Sequence, residues 1–570
     1  MSEQETFNLI DEPWIIARFT NGSTEEVSLR SLFKQWNTIV EILGDIPTQA
    51  FAIYRLSLAI MYRSAVLAQT PIAHVEDWEQ YWENPDLFGN VISDYLDKWY
   101  DRFDLLDERE PFFQVAGLHS GKNEVSSLER IVLDSPVGGH FANRTAQGLA
   151  RISCAEAARW LVHSQAYDTA GIKTGAAGDP RVNGGRTYGS SVGWAGQIGG
   201  ILLRGSNLFQ TLLLNLIPLD LDSSPLGSIL IEDDLPPWEQ EPFGPGIRDG
   251  KESIAPTGPV DLYTWQSRRI RLVGSTRGIT GVLLAQGDKL TPQNRQTIEP
   301  MTVWRYSRPQ SRTAKQHVYM PRIHESSRLF WRGLGAAIPQ ISCEGTIDSY
   351  DKKSKVQGLL SPATLIWHSQ LINLFIVDPK DLVPMEIFGI EYGVQNSVVE
   401  NGLNDTLVFP AELLLDSSEN ARNNLVKALA IVERVANILG EFARNLALAS
   451  GATGRTSEEN QRNEDKVKDR FFFQIDQSFR RWLIQTSESA AASLISWQRY
   501  LLSVSEEFLS ELVSSAPANA AVGHQIQEKF TMDLGTAERK AYWQLRKAIP
   551  DAFTTKEASN HKPEKEEEMA

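Results

Sequence analysis

The last third of the chain repeats apolar residues at intervals of three and four, which is the spacing of one face of an α-helix. The first such stretch covers residues 425–446, and three more follow at residues 467–482, 494–512 and 534–550. Short connections between four amphipathic helices predict an antiparallel four-helix bundle whose apolar stripes form its core. The first stripe consists of Leu425, Ala428, Val432, Val435, Leu439, Phe442 and Leu446.

The region before residue 402 has a mixed pattern. Short apolar runs such as Trp14–Ala17 alternate with helical stretches, of which residues 49–68 are the longest early example. Glycine is frequent between residues 136 and 205, which indicates loops. The sequence therefore predicts an α+β protein. Its expected parts are a mixed α/β domain over residues 1–402, a helical bundle over 403–555 and a disordered tail over 556–570.

Composition limits the class of protein. Hydrophobic residues make up 42% and charged residues 22% of the 570 positions, as in ordinary globular proteins. The two cysteines, Cys154 and Cys343, are too few for a disulfide framework and favour a reducing cytoplasm. Cys154 lies among alanine and apolar residues, so we expect a buried thiol rather than a nucleophile. The chain has no run of eighteen uninterrupted apolar residues, so we expect no membrane partner.

Charge is distributed unevenly along the chain. The whole sequence has a formal net charge of −16, and residues 1–110 alone contain eight basic and twenty acidic residues. Arg268–Arg332, which we call the basic segment, contains thirteen basic and three acidic residues. Cations that neutralise phosphates release condensed counterions, so this segment favours binding to a polyanion. The alternative is that its cations pair with carboxylates of the acidic N-terminal region or of a neighbouring subunit.

The sequence contains no pattern typical of a catalytic or metal site. Its nine histidines form no i, i+4 pair around a glutamate, and Cys-x-x-Cys is absent, so we expect neither a metal nor a cofactor. Gly171–Gly175 superficially resembles a phosphate-binding loop but lacks its spacing. These observations favour a protein that is not an enzyme. A nuclease site assembled from distant carboxylates remains an alternative, as does a purely architectural subunit.

Several short motifs occur together and in order along the chain. They are Asn8–Ile15, Pro111–Gln114, Gly138–Arg144 and Leu203–Gly205, followed by the four-helix pattern. In this combination the chain resembles the CasA family, the large subunit of the type I-E CRISPR surveillance complex Cascade. The resemblance implies an N-terminal α/β domain of unusual topology and a noncatalytic role in antiviral defence.

The resemblance also implies partners. Members of the family bind the short motif that flanks the DNA target (the PAM) from the minor groove, help to open the duplex and recruit a helicase-nuclease. The expected partners are therefore double-stranded DNA, the CRISPR guide RNA, the other Cascade subunits and the helicase-nuclease. In such RNA-guided systems the protein reads a short duplex motif, and base pairing reads the rest.

Two elements of the family fall on identifiable residues. Its Phe-Val-Asn loop, which reaches toward the guide RNA and neighbouring subunits, falls on Phe141, Ala142, Asn143 and Arg144, with alanine in place of valine. Its wedge, an amide-bearing hairpin that inserts at the duplex edge, falls on Gln395 and Asn396. Short uncharged amides suit a minor-groove reader. The alternatives are an ordinary loop anchor and an ordinary polar turn.

Two further elements of the family, a glycine loop and a lysine finger, fall on other residues of the chain. The glycine loop that lies against the minor groove corresponds to Gly184 and Gly185, because a backbone without Cβ can approach base edges closely. The lysine finger corresponds to Lys289, for which Arg277 or Arg295 could substitute. Some relatives carry a cysteine cluster in this region, which this sequence lacks. The expected phosphate contacts of the basic segment are Arg269, Arg271 and Arg305.

Overall fold

A computed structural model describes residues 5–133, 149–189, 191–219, 226, 229, 231–250, 254–451, 457–485, 490–527 and 530–553. The predicted α+β class is confirmed, with mixed helices and small sheets in the first part of the chain and long helices in the last part. The predicted guide-RNA loop, Phe141–Arg144, and the predicted tail, residues 556–570, lie outside the described residues.

Contacts divide the chain into two compact units. The first comprises Met1–Phe330, Ala336–Val377 and Val383–Leu407. The second comprises Trp331–Gly335, Asp378–Leu382 and Val408–Ala570. The division along the chain thus follows Leu407 rather than residue 402. It also assigns two short earlier segments to the helical unit, which a sequence boundary at one position does not represent.

In addition to short 3-10 helices, the first unit contains ten α-helices among its described residues. They are α1 (Leu29–Lys34), α2 (Pro47–Leu67), α3 (Val75–Glu83), α4 (Pro85–Lys98), α5 (Cys154–Tyr167), α6 (Leu208–Leu214), α7 (Pro259–Tyr263), α8 (Arg308–Ala314), α9 (Pro339–Ser342) and α10 (Ala363–Asn373).

Helix α2 lies at the centre of this unit. The apolar pattern predicts a helix over residues 49–68, and α2 confirms it. Its length and composition would allow it to cross a membrane, but 89% of its most apolar window is buried inside the fold. It packs against α4, α5 and α7. Burial on nearly all sides explains why its apolar residues are not confined to one stripe.

The strands of the first unit form several small sheets rather than one large one. Strand β14 has antiparallel β6 on one side and β15 on the other, whereas β4 pairs with β5 and β7 pairs with β8 as hairpins. The strands are β1 (Ile15–Phe19), β2 (Thr24–Val27), β3 (Ile39–Leu43), β4 (Lys173–Thr174), β5 (Arg186–Thr187), β6 (Gly200–Leu203), β7 (Arg268–Ser275), β8 (Gly278–Gln286), β9 (Trp304–Tyr306), β10 (Tyr319–Pro321), β11 (Thr346–Asp348), β12 (Lys355–Gln357), β13 (Leu359–Leu360), β14 (Leu382–Tyr392) and β15 (Val399–Pro410).

The second unit confirms the predicted four-helix bundle. The predicted stripe on its first helix is buried from Leu425 to Leu446. Arg444 pairs with Glu464, and Gly440 lies against Lys468, so the first two long helices run antiparallel. The elements of this unit are α11 (Glu419–Ala449), α12 (Ser457–Gln485), α13 (Ala490–Ser514), α14 (Asn519–Val522), β16 (His524–Gln527), β17 (Phe530–Met532) and α15 (Leu534–Ala548).

Candidate nucleic-acid interface

The predicted wedge residues lie at the tip of the β14–β15 hairpin, which we call the amide hairpin. Gln395 and Asn396 are both exposed, and both have left-handed backbone angles, with φ of 56° and 53°. The turn is closed by a hydrogen bond of 2.8 Å from the Asn396 N–H to the Gly393 carbonyl. Asparagine tolerates this conformation, whereas for glutamine it costs about 1 kcal/mol. The tip is therefore an ordered, mildly strained turn.

Two hydrogen bonds attach the amide hairpin to the last residue of α5 and to the segment that follows it. The Tyr392 hydroxyl donates to the Tyr167 carbonyl at 2.6 Å. The Ala170 N–H donates to the Asn396 carbonyl at 2.8 Å. Tyr392 is accommodated because residue 196 is glycine, where a Cβ would collide with the tyrosine hydroxyl. The position of the amide tip is thus defined by residues 167–170.

A buried ionic cluster supports residues 167–170. Asp168 pairs with Arg268, and the Lys173 ammonium lies 2.7 Å from an Asp168 carboxylate oxygen. These three side chains are 6%, 2% and 8% exposed. Burial raises the pKa of Asp168, but Arg268 and Lys173 outweigh it and hold that pKa below its usual value. The cluster therefore contains a carboxylate between two cations, which satisfies the requirement that buried charges be paired.

The predicted glycine loop is a tight turn between Asn183 and Arg186, at the end of the connection from β4 to β5. We call β4, β5 and this connection the glycine hairpin. Gly184 and Gly185 have φ of 58° and 76°. Two successive positive φ angles are typical of the tight type I′ turn, in which glycine is favoured. Both glycines are exposed, and no atom lies within 4 Å of where a Cβ would sit. The backbone here faces open space and can approach another molecule closely.

The end of β8 contacts both the segment after α5 and the glycine hairpin. The Gln286 side-chain amide donates to the Gly171 carbonyl at 3.0 Å. Arg181, in the glycine hairpin, donates to the Gln286 and Gly287 carbonyls at 2.8 and 2.9 Å. Lys289 follows two residues later and is exposed. The predicted lysine finger therefore extends from the same strand end that supports the two hairpins.

The basic segment does not form one continuous surface. Arg269 is 1% exposed and donates to Asp288 at 2.8 Å, so it cannot contact a phosphate in this fold. Arg268 is buried against Asp168, and Arg332 pairs with Glu433. The prediction that Arg269 contacts DNA is therefore wrong, because a buried aspartate holds its guanidinium. The carboxylates that pair with these three arginines lie outside the acidic N-terminal region.

Other predicted cations do reach the surface. Arg271 is exposed and donates to the Leu118 carbonyl at 3.1 Å, which leaves most of its guanidinium open. Arg305 is exposed on β9, and Arg277 is exposed after β7. Arg295 is half-buried, and burial lowers its pKa. Arg271 and Arg305 thus have the exposure that a phosphate contact requires.

Folding brings three lysines from outside the basic segment, Lys352, Lys353 and Lys355, close to cations of that segment. Asp348 of β11 contacts both Lys355, at 2.6 Å, and Arg308, which donates to its carbonyl at 2.9 Å. The Tyr350 hydroxyl donates to the Lys315 carbonyl at 3.0 Å. The β11–β12 turn therefore lies beside α8. We call the resulting cations the basic patch: Arg308, Arg312, Lys315, Lys352, Lys353 and Lys355. No local sequence signal indicates this pairing.

Cys154, His324 and Lys173 have surroundings that explain them as structural residues. Cys154 is buried, and burial raises its thiol pKa to about 11. His324 is half-buried, and desolvation lowers its pKa to about 4. Lys173, in the segment that superficially resembles a phosphate-binding loop, is held by Asp168. Among the described residues, no group of three or more histidine, cysteine, aspartate or glutamate side chains could hold a metal ion.

Comparison with known proteins identifies the family. Residues 8–508 match the family described as CRISPR-associated protein Cse1. The chain belongs to the CRISPR-associated Cse1 family, which is also called CasA. The predicted family is thus confirmed, and this match extends from the first unit into α13 of the second.

Three relatives illustrate the extent of the similarity. The crystal structure of Thermobifida fusca Cse1 is 36% identical, with a TM-score of 0.83 over 96% of this chain and 99% of that one. The CasA/Cse1 protein of Thermus thermophilus is 29% identical over 60% of this chain, and the match spans 62% of that protein. A chain described as a CRISPR RNA-guided surveillance complex shares the fold, with 16% identity, a TM-score of 0.62 and coverage of 96% of this chain and 100% of that one.

Proposed function

We propose that this Cse1-family chain is the noncatalytic large subunit of a type I-E CRISPR RNA-guided surveillance complex. In that role it recognises the PAM in double-stranded DNA from the minor groove, assists duplex opening and recruits the helicase-nuclease. Membership of the family and the fold shared with a surveillance-complex chain support the assembly with guide RNA and other subunits. The DNA-recognition role rests on the site described above.

The observation that carries the proposal is the amide tip. Gln395 and Asn396 present two short uncharged amides on a strained but anchored turn. Strained residues persist where the surrounding structure fixes them, and they cluster at functional sites. The preceding residue, Val394, is 80% exposed and adds an apolar side chain of the kind that enters between base steps. A turn with this composition suits insertion at a duplex edge.

The exposed cations supply the nonspecific part of DNA binding. Arg271 and Arg305 together with the basic patch present positive side chains whose contact with phosphates would release counterions. The aromatic rings beside the patch contact one another, as His317 contacts Tyr306 and Tyr350. The cations of the patch, rather than these rings, would contact the phosphates of a duplex.

The test is performed on the complex assembled with guide RNA. We expect the double variant Gln395→Ala, Asn396→Ala to reduce opening of a duplex that carries the flanking motif, while binding to unrelated duplex stays nearly unchanged. Opening is measured with a fluorescent base analogue beside the motif. The matched control is Asn401→Ala, which removes an exposed amide from the same hairpin away from its tip. Equal loss on both kinds of DNA would refute the wedge assignment.

A separate assay tests the noncatalytic part of the proposal. The purified chain is incubated with labelled duplex and single-stranded DNA in the presence of Mg²⁺ or Mn²⁺. We expect no cleavage beyond that of a mock purification. Reproducible metal-dependent cleavage would instead favour the alternative of a nuclease whose carboxylates come from distant positions.

A further inference from the structure

We infer that Arg268 and its ionic cluster fix the spacing between the amide hairpin and the glycine hairpin, so that the two hairpins meet DNA as one unit. This inference rests on the proposed function for its DNA readout, but its structural part can be tested without DNA. The connecting segment is residues 167–174, which we call the bracket. Arg268 itself does not contact DNA in this proposal and acts as a positioning residue.

The guanidinium of Arg268 binds the bracket at several points. Its Nε contacts the Asp168 carboxylate. Its Nη2 donates to the carbonyls of Asp168, Thr169 and Ser191 at 3.1, 2.8 and 3.0 Å. The planar guanidinium thus binds the carbonyls of two consecutive residues, Asp168 and Thr169, and the carbonyl of Ser191 in the next loop. Lysine carries the same charge on a single nitrogen and cannot reproduce these contacts.

The two hairpins are attached at opposite ends of the bracket. At one end, the Ala170 N–H holds the Asn396 carbonyl at the amide tip. At the other end, Lys173 and Thr174 form β4 and pair with Thr187 and Arg186 of the glycine hairpin. Only two residues separate these attachments along the chain. Any change in the bracket backbone therefore alters the separation of the two tips.

Lys173 connects the ionic cluster directly to the glycine hairpin. Its backbone belongs to β4, whereas its ammonium binds both Asp168, at 2.7 Å, and the Thr169 hydroxyl, at 3.3 Å. The pairing of Asp168 with two cations explains why this buried lysine is tolerated. The cluster therefore holds the first strand of the glycine hairpin against the segment that contacts the amide tip.

Such support matters because a recognition site must hold its groups within about 0.5 Å of the productive geometry. An amide tip and a glycine backbone that enter one minor groove must do so at the separation that the groove dictates. The glycine hairpin pairs only two residues of each strand, and the pairing of β14 with β6 ends at Phe388. Each tip is therefore a two-stranded ribbon, which is marginally stable without further packing. The bracket supplies that packing, and its buried ion pairs make it stiffer than an exposed loop.

The first test compares Arg268→Lys with the unchanged protein by hydrogen exchange of the isolated full chain. We expect the peptides that cover residues 393–398 and 183–187 to exchange about tenfold faster, because loss of a buried charged hydrogen bond costs about 1.4 kcal/mol or more. Exchange in the bundle helix α11 serves as an internal reference. Unchanged exchange at both tips would overturn the inference.

A second variant keeps the test valid if Arg268→Lys fails to fold. Tyr392→Phe removes only the hydroxyl that binds the Tyr167 carbonyl. Its matched control is Tyr319→Phe, which removes a hydroxyl bonded to the Gln357 carbonyl elsewhere in the first unit. We expect faster exchange at residues 393–398 in the first variant only. Equal exchange in both variants would contradict the role of the bracket.

The third test measures coupling between the tips in the assembled complex. Gln395→Ala and Gly184→Ala are combined, first with Arg268 present and then with Arg268→Lys, and duplex opening is measured. We expect non-additive effects of about tenfold with Arg268, and additive effects without it. Additive effects in both backgrounds would overturn the coupling. If neither single variant changes opening, the proposed function fails, while hydrogen exchange still decides whether the bracket holds the tips.

Discussion

Arg269 donates a hydrogen bond of 2.8 Å to Asp288, and each side chain is 1% exposed. Two residues further along the same strand, Arg271 is exposed. The sequence gives both arginines the same chemical character, but the fold assigns one to the core and the other to the surface. This pair allows stability and DNA binding to be separated experimentally.

We expect these two arginines to differ in their contribution to stability. Arg269→Ala leaves Asp288 without one of its buried partners, and we expect a loss of about 3 kcal/mol in the free energy of unfolding. Arg271→Ala removes an exposed cation, and we expect a change within about 0.5 kcal/mol. Denaturant unfolding measures both. A larger loss for Arg271→Ala than for Arg269→Ala would contradict the assignment of core and surface.

Removing exposed cations should also weaken the electrostatic part of DNA binding. In the assembled complex, Arg271→Ala should lower the slope of log K against log salt by about 1, because one phosphate contact is lost. The basic-patch variant Arg312→Ala, Lys315→Ala should lower it by about 2 on the same reasoning. Binding to a nonspecific duplex is measured at several salt concentrations. A slope that does not change would assign these cations to protein contacts instead.

The bundle core gives a prediction about stability. Leu439 is fully buried on α11, and Leu439→Ala should reduce the free energy of unfolding by about 2–5 kcal/mol through lost apolar burial and the remaining cavity. Val426, on the same helix, is 42% exposed, and Val426→Ala serves as the control with an expected change within about 0.5 kcal/mol. Helicity is followed during thermal unfolding. Similar losses in the two variants would contradict the predicted stripe.

Buried histidines predict a dependence of stability on pH. Burial lowers the pKa of His368 to about 4, from an unfolded value near 6.5. The unfolded chain therefore binds the proton first, and the contribution of His368 to stability is complete above pH 6.5 and is lost as the pH falls toward 4. The slope contributed by this group is at most about 1.4 kcal/mol per pH unit.

The variant His368→Leu isolates this effect. No described residue provides a hydrogen-bond partner for Nδ1 of this histidine, so leucine should be tolerated at pH 7. We expect the variant to lose less stability than the unchanged protein between pH 6.5 and 4, as measured by denaturant unfolding at each pH. Identical pH profiles would show that His368 takes up no proton in this range.

Much of the candidate site could be predicted from the sequence, but as separate residues and not as one arrangement. The sequence predicts an amide-bearing hairpin at Gln395 and Asn396 and a glycine loop at Gly184 and Gly185, and the fold places both pairs in exposed turns. Their roles in DNA binding remain predictions. The connection between the two turns was missed, because it passes through Asp168 and Arg268, which are 100 positions apart.

The sequence by itself determined the features that depend only on residues close together along the chain. The spacing of apolar residues determined the four long helices, because an amphipathic stripe needs only its own neighbours along the chain. The tertiary structure alone decided which arginines of the basic segment lie at the surface and which distant lysines join them. The physical reason is that an arginine is stable in the core or in water, and the choice depends on whether folding brings a carboxylate within hydrogen-bonding distance.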